Sequence, residues 1–442
     1  MADSEPFPLL NTSDNFSTSQ DTNGTAAMRR RKSSAIQTEL LRGDTGAPAL
    51  ATSLAHLSAA NGRKSDSRDS SKRLSKRRKA RSLAQRATNY ALKHTWALPA
   101  VLLLVFASLY AIYPSESNPV SRFIFLSYKL PIDPKAAPGT PAQYGKGPWD
   151  IAFVSFYAIV LSFTREFIMQ EVLRPLARYA GLKSKSKQNR FMEQMYTAVY
   201  FGCIGPWGMY IMRGTPVWYF NTTGMYENFP HMTHEAMFKF YYLFQAAYWA
   251  QQLMVMVLGL EAPRKDYNEL VGHHLVSLAL IGLSYRFHFT YIGLAVYITH
   301  DISDFFLATS KSLNYIDSPL QGPYFAFFMA VWIYMRHYLN LGIIYSLFTE
   351  FRTVGPFELN WATEQYKCWI SQYITIILLS ALQALNLFWL FFIIRIAYRF
   401  LFFNVIKDDR EDGEESEEDG EAKPRVANGN ANGHANGAAK VE

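Results

Sequence analysis

Long apolar runs separated by short polar connections make up the middle of the chain. Eight such runs, most of them near the roughly twenty residues that span a bilayer core, cover positions 96–113, 149–168, 195–212, 236–258, 271–285, 289–309, 323–346 and 368–402. Each run must be a helix, because an isolated strand in lipid leaves its backbone polar groups unsatisfied. The pattern therefore predicts an all-α polytopic membrane protein with about eight transmembrane helices.

The two ends of the chain are polar and carry opposite charge. Residues 1–95 contain 17 Lys and Arg against 8 Asp and Glu, whereas residues 405–442 contain 5 against 11. Neither end has a sustained apolar period. We therefore expect disordered tails, basic over 1–93 and acidic over 404–442.

The charge of the tails indicates which partners they suit. A basic tail beside a transmembrane helix favours the cytosolic face and anionic lipid headgroups. The basic run 72–79 has no interleaved aromatic residues, so nucleic acid is not expected as a partner. Ser75 lies among lysines and arginines and Ser416 among acidic residues, which makes each a candidate phosphorylation site.

Positive charge in the connections predicts how the chain crosses the membrane. Loops rich in Lys and Arg stay in the cytosol, and six such residues lie between the second and third runs. Eight crossings from a cytosolic N-terminus return the C-terminus there, so both termini are expected in the cytosol. The sequon at Asn221 then falls in the lumen as a candidate glycosylation site. The chain accordingly divides into a first transmembrane helix with its luminal loop (94–148) and a membrane domain (149–403).

Two groups of ionisable residues interrupt the apolar runs. His273 and His274 open the fifth run, and Asp301 and Asp304 lie near the end of the sixth. Insertion of such a residue at the centre of a transmembrane helix costs about 2–3 kcal/mol of free energy on insertion scales. The presence of each one therefore indicates a functional role. A short connection joins the two runs into an antiparallel hairpin. The hairpin brings all four side chains to a similar depth, toward the cytosolic face.

Histidines beside carboxylates in a dry cavity suit acyl transfer. A neutral imidazole can take a proton from an amine or can attack an activated acyl group. We expect the aspartates to orient one histidine and to hold its positive charge, as the carboxylate of a catalytic triad does. Adjacent helical residues point about 100° apart, so the other histidine must face a different partner. A structural cluster that pins two helices together is the alternative.

Metal binding is the competing functional interpretation of the histidines. The ten histidines supply one H-x-x-H motif, His231-Met-Thr-His234. This motif falls in a predicted luminal loop, on the far side of the membrane from the cluster described above. We therefore expect no bound metal.

Further residues within the apolar runs are candidates for contact with substrate. Arg336, in the seventh run, can hold a phosphate or carboxylate or can pair with one of the aspartates, and Asn340 lies one turn further on. Gln252 and Trp249, in the fourth run, are candidates for a substrate channel.

The stretch Gly272-His273-His274-Leu-Val-Ser-Leu, followed by Tyr297-Ile-Thr-His300-Asp301-Ile-Ser-Asp304-Phe-Phe, resembles a ceramide synthase of the TLC-domain family. The similarity continues through Trp332-Ile-Tyr-Met-Arg336-His and Leu347-Phe-Thr-Glu350-Phe. The basic N-terminal tail, the acidic C-terminal tail and the lack of a homeobox-like insert resemble the fungal branch of that family.

The resemblance implies a membrane enzyme of the endoplasmic reticulum. Such an enzyme, a sphingoid-base N-acyltransferase, transfers a fatty acyl group from acyl-CoA to the amino group of a sphingoid base and releases ceramide and CoA. The fold implied over 149–403 is a TLC-type helical barrel around a buried active site. By this resemblance, His273, His274, Asp301 and Asp304 form the active centre, acyl-CoA is a co-substrate and no cofactor is bound.

The resemblance also implies partners and leaves one alternative function. The partners are acyl-CoA, a sphingoid base, membrane lipid, a small single-span accessory subunit, and a second synthase chain in a homodimer or heterodimer. The alternative is a non-enzymatic TLC-type lipid sensor or carrier, or a translocation factor. The full set of two histidines and two aspartates favours the enzyme, because a carrier has no chemical need for it.

Overall fold

A computed structural model of the chain describes residues 89–90, 93–132, 134–135, 137–261 and 264–403. The tails expected over 1–93 and 404–442 lie almost entirely outside these residues. Ser75 and Ser416 lie outside them as well, so their phosphorylation stays a prediction.

Every apolar run coincides with a helix, as predicted. The structure places helices at α1 (Ala97–Ile112), α2 (Trp149–Tyr179), α3 (Lys185–Arg213), α4 (Ala236–Val257), α5 (Tyr267–Arg286), α6 (Thr290–Tyr315), α7 (321–349) and α8 (Trp369–Phe403). Two of them contain a wider π-helical segment, Ile168–Leu173 in α2 and Tyr334–Leu339 in α7. A short helix, Ser121–Ile124, follows α1.

Only some of these helices could be recognised as membrane spans by length and composition alone. Among the described residues, α2 and α8 are long and apolar enough to cross a membrane, and α1 is apolar but has only 16 residues. The other helices carry more polar and charged side chains, which lowers their mean hydropathy. The all-α fold is therefore confirmed, and the number of eight crossings stays a prediction.

Six of the helices form a closed ring. Going around it, α3 packs on α4, α4 on α5, α5 on α8, α8 on α7, α7 on α6, and α6 returns to α3. Helix α2 packs outside the ring against α4, and α1 packs on α2. Such a ring can bury polar groups on its inner side while apolar side chains cover its outer surface.

Helices α3, α4 and α6 of the ring approach one another closely at Gly208. A Cβ atom on Gly208 of α3 would lie 2.4 Å from the hydroxyl oxygen of Tyr241 and 3.0 Å from Ile298. Tyr241 and Ile298 are both fully buried. A residue without a side chain is therefore required at 208 for these helices to approach so closely.

The two ends of the ring differ in character. At one end, here called the histidine end, α5 begins with the segment that holds His273 and His274, and α6 ends. At the other, the hairpin end, residues 287–289 connect α5 to α6. Two short antiparallel strands, β1 (Gln143–Tyr144) and β2 (His234–Glu235), lie among the loops at the hairpin end.

A buried ion pair ties α2 to α4 near the hairpin end. The ammonium nitrogen of Lys239 lies 2.7 Å from Asp150 Oδ1 and also donates to the backbone carbonyl oxygens of Ser127 (3.0 Å) and Gly145 (2.7 Å). Asp150 in turn accepts from the Tyr285 hydroxyl at 2.8 Å. A buried charge is tolerated only when it is paired and hydrogen-bonded in this way.

Candidate active site

A polar cavity of about 210 Å³ occupies the histidine end of the ring. We call this cavity the vestibule. All six helices of the ring contribute to its walls, as does the connection between α4 and α5. Six of the residues singled out in the sequence line it: His273, His274, Asp304, Arg336, Gln252 and Trp249.

The two histidines face the vestibule with perpendicular rings. Their ring centroids are 5.8 Å apart and the ring planes meet at 90°, as expected for neighbouring residues on a helix. His273 packs between the indole rings of Trp249 (5.5 Å between centroids) and Trp389 (5.1 Å). Both histidines are buried, so the aromatic contacts hold them in a largely dry setting.

The hydrogen bonds of the histidines differ. Nδ1 of His274 lies 2.8 Å from the backbone carbonyl oxygen of Leu270. A carbonyl can only accept, so we assign the proton to Nδ1, which leaves the lone pair on Nε2. Nδ1 of His273 is buried and has no hydrogen-bond partner among the described residues.

Asp304 is paired with Arg336 across α6 and α7. Nη2 of Arg336 donates to Asp304 Oδ1, Nε donates to the Ser303 hydroxyl at 2.7 Å, and Nη1 donates to Asn386 Oδ1 at 3.1 Å. The guanidinium also lies over the Trp332 ring, 4.2 Å from its centroid. The ion pair therefore holds Asp304 at a fixed place on the vestibule wall.

Asp301 points away from the vestibule toward α4. Its Oδ2 accepts hydrogen bonds from the Tyr241 hydroxyl (3.1 Å) and from the side-chain amide of Gln245. The residue is fully buried and is not among the residues that line the vestibule. Among the described residues, neither histidine is hydrogen-bonded to Asp301 or to Asp304. The triad-like contact between a histidine and an aspartate, which the sequence predicts, is therefore absent among these residues.

A second, apolar cavity of about 200 Å³ lies on the hairpin side of the vestibule. We call it the chamber. It is lined by α4, α5, α6 and α8 and by residues of the connection between α7 and α8. Trp249 lines both cavities and so marks the boundary between them. His300 faces the chamber side, with Nδ1 near the Val296 carbonyl (2.8 Å) and Nε2 near the Asn386 amide (3.3 Å).

The structure assigns the remaining polar candidates to different places. Gln252 lines the vestibule and donates to Gln251 at 3.1 Å. Asn340 is fully buried, donates to Gln383 at 2.8 Å and does not line the vestibule. Asn340 therefore joins α7 to α8.

Sequence reasoning missed four residues that shape this site. Gln245 and Tyr241 bind Asp301, whereas Asn386 and Ser303 bind Arg336. Gln245 and Tyr241 lie one turn apart on α4, a spacing that places both on one face. A polar residue such as Asn386 within an apolar run signals a helix-to-helix contact, but the pattern does not say with which helix.

The H-x-x-H motif lies at the hairpin end, as expected. His231 contacts the backbone carbonyl oxygens of Glu227 (2.8 Å) and His288 (3.1 Å). Nε2 of His234 lies 3.0 Å from the Thr290 hydroxyl. No three His, Cys, Asp or Glu side chains within the described residues lie together in a way that could hold a metal ion.

Asn221, the candidate glycosylation site, lies in the connection between α3 and α4. The residue is exposed, and its side-chain amide donates to the Pro216 carbonyl oxygen at 3.1 Å. The neighbouring Thr222 hydroxyl donates to Glu350 at 2.9 Å. The sequon is therefore accessible on a loop anchored to the end of α7.

Comparison with known proteins agrees with the resemblance seen in the sequence. The TLC domain family matches residues 190–395, which include most of the ring. The chain is 55% identical to the sphingosine N-acyltransferase-like protein FUM17 of Gibberella moniliformis, over 74% of this chain and 84% of that protein. It is 48% identical to the sphingosine N-acyltransferase lac1 of Schizosaccharomyces pombe (77% and 88%) and 47% identical to the ceramide synthase LAG1 of Saccharomyces cerevisiae (77% and 81%). These similarities, together with a helical ring around paired histidines, place the chain in the fungal sphingosine N-acyltransferase (ceramide synthase) family of TLC-domain proteins.

Proposed function

We propose that this chain transfers a fatty acyl group from acyl-CoA to the amino group of a sphingoid base in the vestibule, giving ceramide and free CoA. The observation that carries this proposal is the hydrogen bond from His274 Nδ1 to the Leu270 carbonyl oxygen. That bond fixes the tautomer, so the Nε2 lone pair is available as a base or a nucleophile in a cavity that also holds a carboxylate.

In the general-base route, the sphingoid ammonium group first loses a proton to solvent, and His274 then removes a second proton from the attacking amine. The amine nitrogen attacks the thioester carbonyl carbon, the carbon–sulfur bond breaks, and the CoA thiolate takes up the proton from the imidazolium. A positioned base of this kind contributes about 10²–10⁴-fold to rate. In the alternative route, an imidazole nitrogen attacks the thioester first and carries the acyl group to the amine.

His273 is suited to a different task. A buried N–H without an acceptor is rarer in proteins than an under-satisfied acceptor, so the unpartnered Nδ1 favours placing the proton on Nε2. Nε2–H of His273 then donates a hydrogen bond to the thioester carbonyl oxygen, which becomes negatively charged in the transition state. The two imidazoles therefore act in opposite tautomers.

Asp304 is suited to receive the protonated sphingoid base. Its side chain is 17% exposed, in contrast to 2% for its partner Arg336. Asp304 Oδ1 accepts a hydrogen bond from Arg336, whereas Asp304 Oδ2 makes no hydrogen bond to any described residue. A carboxylate that pairs with a guanidinium through one oxygen can accept a hydrogen bond from an ammonium group at the other. Asp301 instead positions α6 against α4 through Tyr241 and Gln245.

The chamber suits the acyl chain. Its walls are mostly apolar, and it meets the vestibule at Trp249, close to both histidines. An acyl chain in the chamber leaves the thioester beside the histidines and the CoA group on the vestibule side. Exclusion of water from this region protects the thioester from hydrolysis.

The same proposal extends to the membrane setting. Eight crossings with both termini in the cytosol turn the vestibule toward the cytosol, where acyl-CoA is made available, and turn Asn221 toward the lumen. The proposed setting is the endoplasmic reticulum, with 149–403 as the catalytic domain. A small single-span accessory subunit and a second synthase chain are the proposed partners, and no resident cofactor is required.

Base-dependent thiol release tests the proposed activity. Membranes that contain the chain are incubated with palmitoyl-CoA, with and without sphinganine, and free thiol and ceramide are measured. The expected result is equal release of both products, dependent on the base. Neither product would favour the lipid sensor or carrier instead, and thiol release without ceramide would mean hydrolysis of the thioester rather than acyl transfer to the base. Intact mass after incubation with palmitoyl-CoA alone separates the two routes, because only the covalent route adds an acyl group to histidine.

A further inference from the structure

Two cations besides Arg336 line the vestibule, and both lie near its rim. Arg264 belongs to the connection between α4 and α5, and Lys311 lies in the last turns of α6. Both side chains are half-buried. Their placement differs from that of the many basic residues elsewhere at the histidine end, which do not line the cavity.

Arg264 is held in a defined orientation. Its Nε lies 2.9 Å from Asp266 Oδ1 and its Nη2 lies 3.0 Å from Asp266 Oδ2. Asp266 is buried, and it also accepts a hydrogen bond from Trp389 Nε1 at 3.3 Å. Trp389 packs on His273. The guanidinium is thus connected through two side chains to one of the two histidines.

Lys311 lies at the correct depth to act together with Arg264. It follows Asp304 by seven residues on α6, a rise of about 10 Å along the helix axis. The histidines and Asp304 form the inner wall of the vestibule, so Lys311 lies farther out toward its opening. The long lysine stem allows the ammonium to reach across the rim.

The guanidinium of Arg336, the anion-binding candidate from the sequence, already has hydrogen-bond partners. Its three nitrogens donate to Ser303, Asn386 and Asp304. A phosphate at Arg336 would have to displace the carboxylate of Asp304. Arg336 is also more deeply buried than Arg264 and Lys311, which are half-buried, so an anionic group that enters the vestibule meets the cations at the rim first.

We propose that Arg264 and Lys311 bind the phosphate groups of the CoA moiety. The inference rests on the proposed acyl transfer, because it assumes that the thioester lies at the histidines. The pantetheine arm then runs outward along the vestibule and brings the diphosphate and the 3′-phosphate to the rim. A planar guanidinium suits phosphate oxygens, and a lysine supplies a compact charge.

The test compares two acyl donors that share the thioester and the pantetheine arm, of which only one carries the 3′-phosphoadenosine diphosphate group. Palmitoyl-CoA carries the diphosphate and the 3′-phosphate, whereas S-palmitoyl pantetheine has the same thioester and no phosphate. KM and kcat for both donors are measured with the full chain in membranes, at fixed sphinganine. The variants are R264Q, K311Q and K311R. The control is K265Q, since Lys265 is an exposed neighbour of Arg264 that does not line the vestibule.

R264Q and K311Q are each expected to raise the KM for palmitoyl-CoA about tenfold, the usual consequence of losing one charge-assisted contact. Neither should change the KM for S-palmitoyl pantetheine. K311R should restore most of the affinity, K265Q should resemble the parent chain, and added salt should weaken palmitoyl-CoA binding less in the variants.

Three results would overturn the inference. One is an unchanged KM for palmitoyl-CoA in both charge-removing variants. Another is an equal loss with both donors, which would mean that Arg264 only supports Asp266 and His273. The last is an equal effect of K265Q, which would mean that net charge at this end is sufficient. If the parent chain uses neither donor, the proposed acyl transfer itself fails.

Discussion

His274 donates a hydrogen bond from Nδ1 to the backbone carbonyl oxygen of Leu270, one helical turn earlier, at 2.8 Å. The bond is local to α5, so it forms wherever the helix forms. It orients the imidazole with Nε2 available for chemistry in the vestibule. The backbone of α5 therefore does for this histidine what a carboxylate does in a catalytic triad.

The first prediction concerns this hydrogen bond. His274→Asn keeps a side-chain N–H near the position of Nδ1 and removes Nε2. We expect kcat to fall by about 10²–10⁴-fold, because the base or nucleophile is lost while the contact with Leu270 is kept. Ceramide formation by membranes with matched protein levels measures the change. Activity close to that of the parent chain would exclude His274 from the reaction.

The second prediction concerns the carboxylate of Asp304. Asp304→Asn still accepts from Arg336 but has no charge for the ammonium of the base. The KM for the sphingoid base should rise about tenfold or more, while the KM for acyl-CoA changes little. Asp317→Asn is the matched control, because Asp317 is an exposed residue just beyond the end of α6. A rise in the KM for acyl-CoA alone would contradict the assignment.

The third prediction separates Asp301 from Asp304. Asp301→Asn keeps an acceptor for the Tyr241 hydroxyl and the Gln245 amide, so we expect most of the activity to remain. Asp301→Leu leaves two buried donors without an acceptor, each at a cost of about 1–3 kcal/mol. Thermal unfolding of the purified chain in detergent should show the loss for the leucine variant. If Asp301→Asn abolishes activity while folding is unchanged, Asp301 takes part in the reaction itself.

The fourth prediction concerns the pH dependence of stability at the hairpin end. Nε2 of His288 lies 3.0 Å from Glu364, and Nδ1 lies 3.1 Å from the ammonium nitrogen of Lys146. Burial and the charge of Lys146 lower the pKa of His288 to about 4, with Glu364 opposing and Arg286 adding to the shift. The fold therefore favours neutral His288. The stability that this provides is present above the usual pKa of about 6.5 and is lost as the pH falls toward 4.

Thermal unfolding between pH 7.5 and pH 4.5 measures this effect. The midpoint of the parent chain should fall as the pH is lowered, and His288→Gln should reduce the fall, because a glutamine can contact Lys146 and Glu364 without titrating. An equally steep fall in the variant would show that other groups cause the pH dependence.

The fifth prediction concerns orientation. If the hairpin end faces the lumen, Asn221 should carry a glycan that an endoglycosidase removes, with a visible shift in gel mobility. Asn221→Gln and Thr223→Ala should each abolish the shift, since both destroy the sequon. A parent chain without a glycan, in cells that glycosylate a control protein, would argue against a luminal position for this loop.

Much of the architecture could be predicted from the sequence, because each helix depends on a run of apolar residues local in the chain. The hairpin of α5 and α6 followed from its short connection, and the pairing of Arg336 with an aspartate was one of two expected outcomes. The roles of Asp301 and Asp304 could not be predicted. They lie three residues apart on α6, yet one contacts α4 and the other contacts α7.

By itself, the sequence determined the helices, the membrane setting and the family, since these depend on local hydrophobicity and on the motif around His273 and His274. Only the tertiary structure decided that the imidazole of His274 is oriented by its own helix, that Arg336 is occupied by Asp304, and that Arg264 and Lys311 lie at the rim of the same cavity. The physical reason is that a hydrogen bond or an ion pair between helices depends on which faces meet. That choice is made by the packing of the whole ring.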